Sequence, residues 1–196
     1  FISTANNKVI SDDYPYHISN NWAQPYRQMR IQEFLHANKK LTTEDMQSLQ
    51  MDQLNLQAKE FVPQFLEVLK GSSGKQEDQA IRILKKWNNI DSIDAAAPMI
   101  FNVWMKKIGE VLLMDEIPEE TLNLFNGRRS AIDELLRRAL DGKPGPWIEE
   151  AGGLEQVLAK SLQQTLKDLE KSQGNDIADW EWGDYHQVRF NHPLSS

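Results

Sequence analysis

Between Pro25 and Gly174, apolar residues return every three or four positions, in runs closed by glycine, proline or asparagine; the residues on either side show no such period. That spacing marks amphipathic helices that each bury one face. It restricts the chain to a mainly α, multi-helix domain over residues 25–174, between a non-helical N-terminal segment, residues 1–24, and a C-terminal return segment, residues 175–196. With 196 residues, 40% of them apolar, such a domain can bury a core of its own.

The punctuation sets individual helices. Pro25 suits a first helical turn, and Met29, Ile31, Phe34 and Leu35 carry a short helix to Asn38. Thr42 or Thr43 can cap the next one, with Glu44 and Asp45 in its first turn, where unpaired backbone amides favour acids. Met46, Leu49, Leu54, Ala58 and Phe61 keep helical spacing, so one helix is expected through them, kinked or split at Pro63 and closed by Gly71. Further helices are predicted from Gln76 to Trp87, and from Ala95 or Pro98 past Leu112. Pro118 begins a short one ending at Asn126-Gly127, and Ser130 begins another that closes at Asp141-Gly142. Residues 143–146 read as a break, and Leu154, Val157, Leu158, Leu162, Leu166 and Leu169 define a last helix reaching Gly174. Residues 185–190 alternate in polarity and predict a short C-terminal strand, its sheet completed by chain outside this segment.

Several function classes find no support. A net charge of −7 lacks the basic face needed to displace counterions from nucleic acid or anionic membrane, and no run of about twenty apolar residues is present. Lys106-Lys107, Arg128-Arg129 and Arg137-Arg138 alternate with acids and read as solvated faces. With no cysteine there is neither disulfide nor thiolate chemistry, and the four histidines, His17, His36, His186 and His192, are too scattered for a zinc site. Gly71-Ser72-Ser73-Gly74 lacks the lysine and spacing of a phosphate loop. Ser130 and Ser161 lie in helical sequence, and no Gly-x-Ser-x-Gly elbow occurs.

The two ends are more distinctive. Ala5-Asn6-Asn7-Lys8 is followed by Asp12-Asp13-Tyr14-Pro15 and then by Arg27, within Pro25-Tyr26-Arg27-Gln28-Met29-Arg30-Ile31. At the other end stand Trp180-Glu181-Trp182-Gly183-Asp184-Tyr185-His186 and Phe190-Asn191-His192-Pro193-Leu194. In order and approximate spacing these resemble the penicillin acylase family of N-terminal-nucleophile hydrolases, as an internal, mostly helical fragment of the β subunit. The resemblance implies a helical insertion in an αββα fold. It also implies an amidohydrolase that cleaves a linear amide bond, in a β-lactam side chain or a related N-acyl substrate such as an acyl-homoserine lactone.

By the same resemblance Asn6 takes the oxyanion-binding position, and Arg27 is the arginine beside it, able to orient the asparagine or meet a substrate carboxylate. Asn7 is expected to bond to backbone in a turn, Arg30 to form an ordinary ion pair, and Tyr14, Tyr16 and Trp22 to pack. The family's nucleophile is the N-terminal residue of the mature β subunit, with its own α-amine as base. Phe1 cannot serve, so the isolated chain is expected to be inactive. The implied partners are the remaining β-subunit core, the α subunit from the same precursor and a small-molecule amide substrate, in a periplasmic or extracellular parent. The resemblance also implies a structural calcium in the parent, but the matching neighbourhood, Tyr16-His17-Ile18-Ser19, offers no carboxylate, leaving only Asp12 and Asp13 nearby, and no cofactor is assigned to this segment. The other function open to such a chain is that of a non-catalytic helical scaffold or interaction module of the same ancestry.

Overall fold

The computed structural model describes residues 1–38, 40–71, 74–113, 117–118, 120–121, 129–188 and 190. After the non-helical segment come α1 (Tyr26–Ala37), α2 (Thr43–Gln50), α3 (Leu56–Val68), α4 (Lys75–Lys86) and α5 (Ala96–Leu113). They are followed by α6 (Arg129–Leu140), α7 (Pro146–Glu150), α8 (Leu154–Gln173), a 3-10 turn (Ile177–Asp179) and a final helical turn, α9 (Trp182–Tyr185).

The centre of the fold is α5. Ala97, Met99, Ile100, Phe101, Trp104, Ile108 and Leu112 cover most of its circumference and all are buried, leaving a narrow polar strip that carries Lys106. The stripe Val157, Leu158, Leu162, Leu166 and Leu169 lays α8 along it, with α3 and α4 completing the shell. Trp104 is fully buried at this seam. Its indole Nε1 donates to Ser161 Oγ (2.9 Å) and to the Leu158 carbonyl (3.2 Å), and its ring meets Phe65 edge-on at 5.2 Å. The one polar atom of a large apolar group is thus satisfied where no water reaches.

Two expectations from the periodicity are corrected and a third is narrowed. The single helix predicted through Met46 and Phe61 is two, because Asn55 caps a new one. Its side-chain carbonyl accepts from Ala58 N (2.9 Å), its Nδ2 donates to both oxygens of Asp91 (3.2 and 3.1 Å), and its backbone N–H meets Asn89 O at 2.7 Å. Leu54 and Ile90 add an antiparallel bridge beside it. Of the two outcomes expected at Pro63, a kink or a split, the split does not occur, since α3 continues to Val68. The predicted C-terminal strand is absent among the described residues: Tyr185 ends α9, His186 N–H bonds back to Trp182 O at 2.8 Å, and Val188 is exposed with no ladder partner. An isolated strand without a neighbouring edge has nothing to hold it. The predicted helix from Pro118 to Asn126 lies largely outside the described residues, and the break at 143–146 leads at once into α7, with Pro146 in its first turn.

The return segment closes the domain at one tight contact. Trp182 N–H bonds to Ala95 O (3.1 Å) and Gly183 N–H to Ile93 O (2.7 Å), while the buried Trp180 donates through Nε1 to Gly174 O (2.9 Å). A Cβ on Gly183 would stand 3.2 Å from both the carbonyl oxygen and the Cβ of Ile93. Gly183→Ala is therefore expected to lower stability by about 1–2 kcal/mol, as overpacking against backbone does. Thermal denaturation followed by circular dichroism checks this, and an unchanged Tm would show that the contact yields freely.

Candidate functional site

Asn6 sits in a turn with a left-handed backbone, φ 63°, a conformation asparagine tolerates better than most residues. Asn7 closes that turn: its Oδ1 accepts from Ala5 N–H (3.2 Å) and its Nδ2 donates to Lys8 O (3.0 Å). Facing the turn is the start of α1 and the residues just before it. Ala23 N–H bonds to Asn6 O at 2.8 Å, and Gln28 Nε2 donates to both the carbonyl and the hydroxyl of Ser3 (3.0 and 2.8 Å). Residues 23–28 thus form a template along which residues 3–6 are hydrogen-bonded.

Arg27 occupies the middle of that template. Its Nη2 donates to Ala5 O (3.0 Å) and to Asn6 Oδ1 (2.8 Å). The bond to Oδ1 fixes which way the carboxamide faces and makes Nδ2 the free end. Among the described residues no acceptor meets that Nδ2, and Asn6 is exposed. An amide N–H2 whose own carbonyl is bonded to a cation is a polarised donor held in place before any charge develops. Such a group can stabilise an anionic oxygen.

Arg27 has no carboxylate partner among the described residues. Glu33 is taken instead by Arg30 (3.2 Å), which also binds Asp52 through two nitrogens (2.9 and 2.7 Å). Those two hydrogen bonds hold the Asp52 carboxyl below the usual carboxylate range. Arg27 and Arg30 also border a groove of about 380 Å³ between α1 and the α2–α3 connection, with Ile31, Leu54 and Asn55 on its walls.

Other residues singled out from the sequence lie apart from this pair. Tyr14 and Tyr16 are exposed and meet each other edge-on at 5.9 Å, so the packing expected of them is mutual rather than against the core. His36 contacts Gln32 O and the Phe1 ring, and His186 stacks on Trp182 at 4.6 Å, while His192 lies outside the described residues. Asp12 is paired with Lys8, and Asp13 is hydrogen-bonded by Ser11. Among the described residues no three side chains of His, Cys, Asp or Glu gather as metal ligands.

Sequence reasoning missed Ala23 and Gln28. Ala23 acts through its backbone and leaves no trace in side-chain pattern. Gln28 is the buried residue of α1, whereas Met29 next to it is exposed, so the helix turns a polar face toward the N-terminal segment. The irregular spacing of Met29, Ile31, Phe34 and Leu35, which do not form one continuous stripe, was the available signal.

Comparison with known proteins gives a consistent picture. The family model described as Penicillin amidase matches residues 1–196. The chain is 22% identical to the acyl-homoserine lactone acylase QuiP of Pseudomonas fluorescens, over 97% of this chain and 26% of that protein. It is 24% identical to the penicillin acylase 2 proenzyme of Pseudomonas sp. strain SE83, over 100% of this chain and 25% of that protein. In fold it is similar to a thermostable penicillin G acylase from Alcaligenes faecalis, with a TM-score of 0.62 at 15% identity, over 89% of this chain and 37% of the other. The chain spans about a quarter of the length of the curated relatives it matches.

Proposed function

This chain belongs to the penicillin amidase family, and on that premise we propose that it is the part of an amidohydrolase that carries the oxyanion donor, Asn6, and the arginine that aims it, Arg27. The observation that carries the proposal is the 2.8 Å bond from Arg27 Nη2 to Asn6 Oδ1, which leaves Nδ2 of this exposed residue with no acceptor among the described residues.

In this mechanism a nucleophile from the rest of the parent attacks a linear amide carbonyl, whose oxygen takes up negative charge as the carbon becomes tetrahedral. Asn6 Nδ2 donates to that oxygen. Arg27 prevents the carboxamide from flipping, because the opposite orientation would direct two donors at each other. The donor is already in place when charge appears, so no reorganisation is required at that moment. The acyl group belongs to a β-lactam side chain or a related N-acyl compound, and the activities in the names of the two curated relatives support that range. The word proenzyme in one of those names supports a parent cut into subunits, with the nucleophile exposed at a new N-terminus. Phe1, Ile2, Val9 and Phe190 are exposed apolar residues at the two ends of the domain, and they support docking onto the remainder of such a parent.

The experiment is to determine the N-terminal sequences and intact masses of the native polypeptides containing this segment. The expected result is a longer chain that begins with Ser, Thr or Cys after cleavage. A native polypeptide without such a residue overturns the catalytic proposal and leaves a helical scaffold of the same ancestry.

A further inference from the structure

Two residues that flank Pro25 reach away from Asn6 into the helical domain, and both find partners on α6. Gln24 Nε2 donates to Asp133 Oδ2 (2.5 Å), while the other oxygen of Asp133 accepts from Gln57 Nε2 on α3 (2.7 Å). Tyr26 OH donates to Glu60 Oε2 on α3 (2.8 Å) and accepts from Arg137 Nη2 (2.8 Å), and Arg137 Nε closes the triangle on Glu60 Oε1 (2.5 Å). Asp133 is 1% exposed, so its carboxyl is pushed above the usual range by burial, against the pull of its two amide donors. Arg137, which the sequence suggests is solvated, instead lies over the Phe61 ring at 5.6 Å.

A leucine at position 133 would pack at less expense than a desolvated carboxylate, so packing alone does not account for this cluster. Its geometry does. The cluster fixes residues 24 and 26 on either side of a rigid proline, and Arg27 follows directly. We infer that Tyr26 and Asp133 are positioning residues: through them α3 and α6 hold the 23–28 template in the one register that places the Arg27 guanidinium on Asn6 Oδ1. The helical domain then has a defined part in the reaction, although none of these side chains touches substrate. This rests on the assignment of Asn6 as donor.

The test uses the complete, processed protein and whichever of phenylacetyl p-nitroanilide and an N-acyl-homoserine lactone the wild type turns over. Tyr26→Phe removes one hydroxyl and keeps both the ring and the Glu60–Arg137 pair; Asp133→Asn is the stronger variant, and Tyr26→Phe stands alone if it fails to fold. Each is expected to lower kcat by about threefold to tenfold with KM little moved, and to have less than about a twofold effect in an Arg27→Ala background, because both act through Arg27. An unchanged kcat, or an equal loss in both backgrounds, overturns the inference. Asn6→Ala assayed alongside separates the failures. Full activity there removes the donor assignment itself, whereas lost activity there with additive Tyr26→Phe removes only the positioning role.

Discussion

Asn6→Ala in the complete, processed protein is expected to lower kcat by about 10²–10³, equivalent to roughly 3–4 kcal/mol of transition-state stabilisation, with KM changed little. The effect falls on kcat because the donor meets full charge only when the carbonyl has become tetrahedral. Alanine at φ 63° adds a backbone penalty of about 1 kcal/mol, which is not enough to unfold a domain anchored as this one is. Asn6→Asp is the informative companion. Aspartate tolerates the left-handed turn and still accepts from Arg27, but it presents an oxygen where Nδ2 stood. Its kcat is expected to be no higher than that of the alanine variant. Steady-state kinetics on both variants decide the matter: wild-type turnover in Asn6→Ala, or recovery in Asn6→Asp, would remove Asn6 from the chemistry.

The second large effect concerns stability. Trp104→Ala is expected to cost about 3–5 kcal/mol, since it opens a cavity at a fully buried position where α5, α8 and α3 meet. Trp104→Phe separates packing from hydrogen bonding. It retains an aromatic ring against Phe65 and loses both indole bonds, but Ser161 Oγ keeps its own donation to Leu158 O (3.1 Å), so no buried group is orphaned. A loss of about 1–2 kcal/mol is expected for it. Urea unfolding followed by tryptophan fluorescence and circular dichroism measures both. A loss below about 1 kcal/mol for Trp104→Ala would mean that the seam is not the centre of the core.

What could be seen in the sequence divides according to the range of the forces involved. The α8 stripe and its end at Gly174, which adopts φ 97°, were legible because helix period and a C-terminal glycine are local properties. The start of α2 was legible in part: the sequence left Thr42 or Thr43 as its cap, and Thr42 takes that place in a capping box with Asp45. The end of α2 was not legible, because it depends on Asn89 and Asp91 meeting Asn55, and on Arg30 taking Asp52, all distant in sequence. The charges of α6 were misleading for a related reason. Arg137 and Arg138 look alike in sequence, yet Arg138 is exposed and Arg137 is folded against Tyr26 and Phe61. Asn6 and Arg27 were singled out by a family resemblance that rests on the order and spacing of their motifs, and the structure brings the two side chains together. The bond between them follows from a left-handed turn and from Ala23 N–H, and neither leaves a residue-type signature.

The bond from Gln24 to Asp133 joins positions 109 residues apart, and that from Arg137 to Tyr26 spans 111. Contacts this distant in sequence form late, after the loops between them have been closed at their entropic expense. Residues 24 and 26 are consequently untethered from α6 in a chain in which only the α5–α8 core has condensed, even where the nearer bonds between Asn6 and residues 23 and 27 have formed. Under the assignment proposed for Asn6 and the positioning inferred for Tyr26 and Asp133, the donor's final aim then arrives together with the last tertiary contacts.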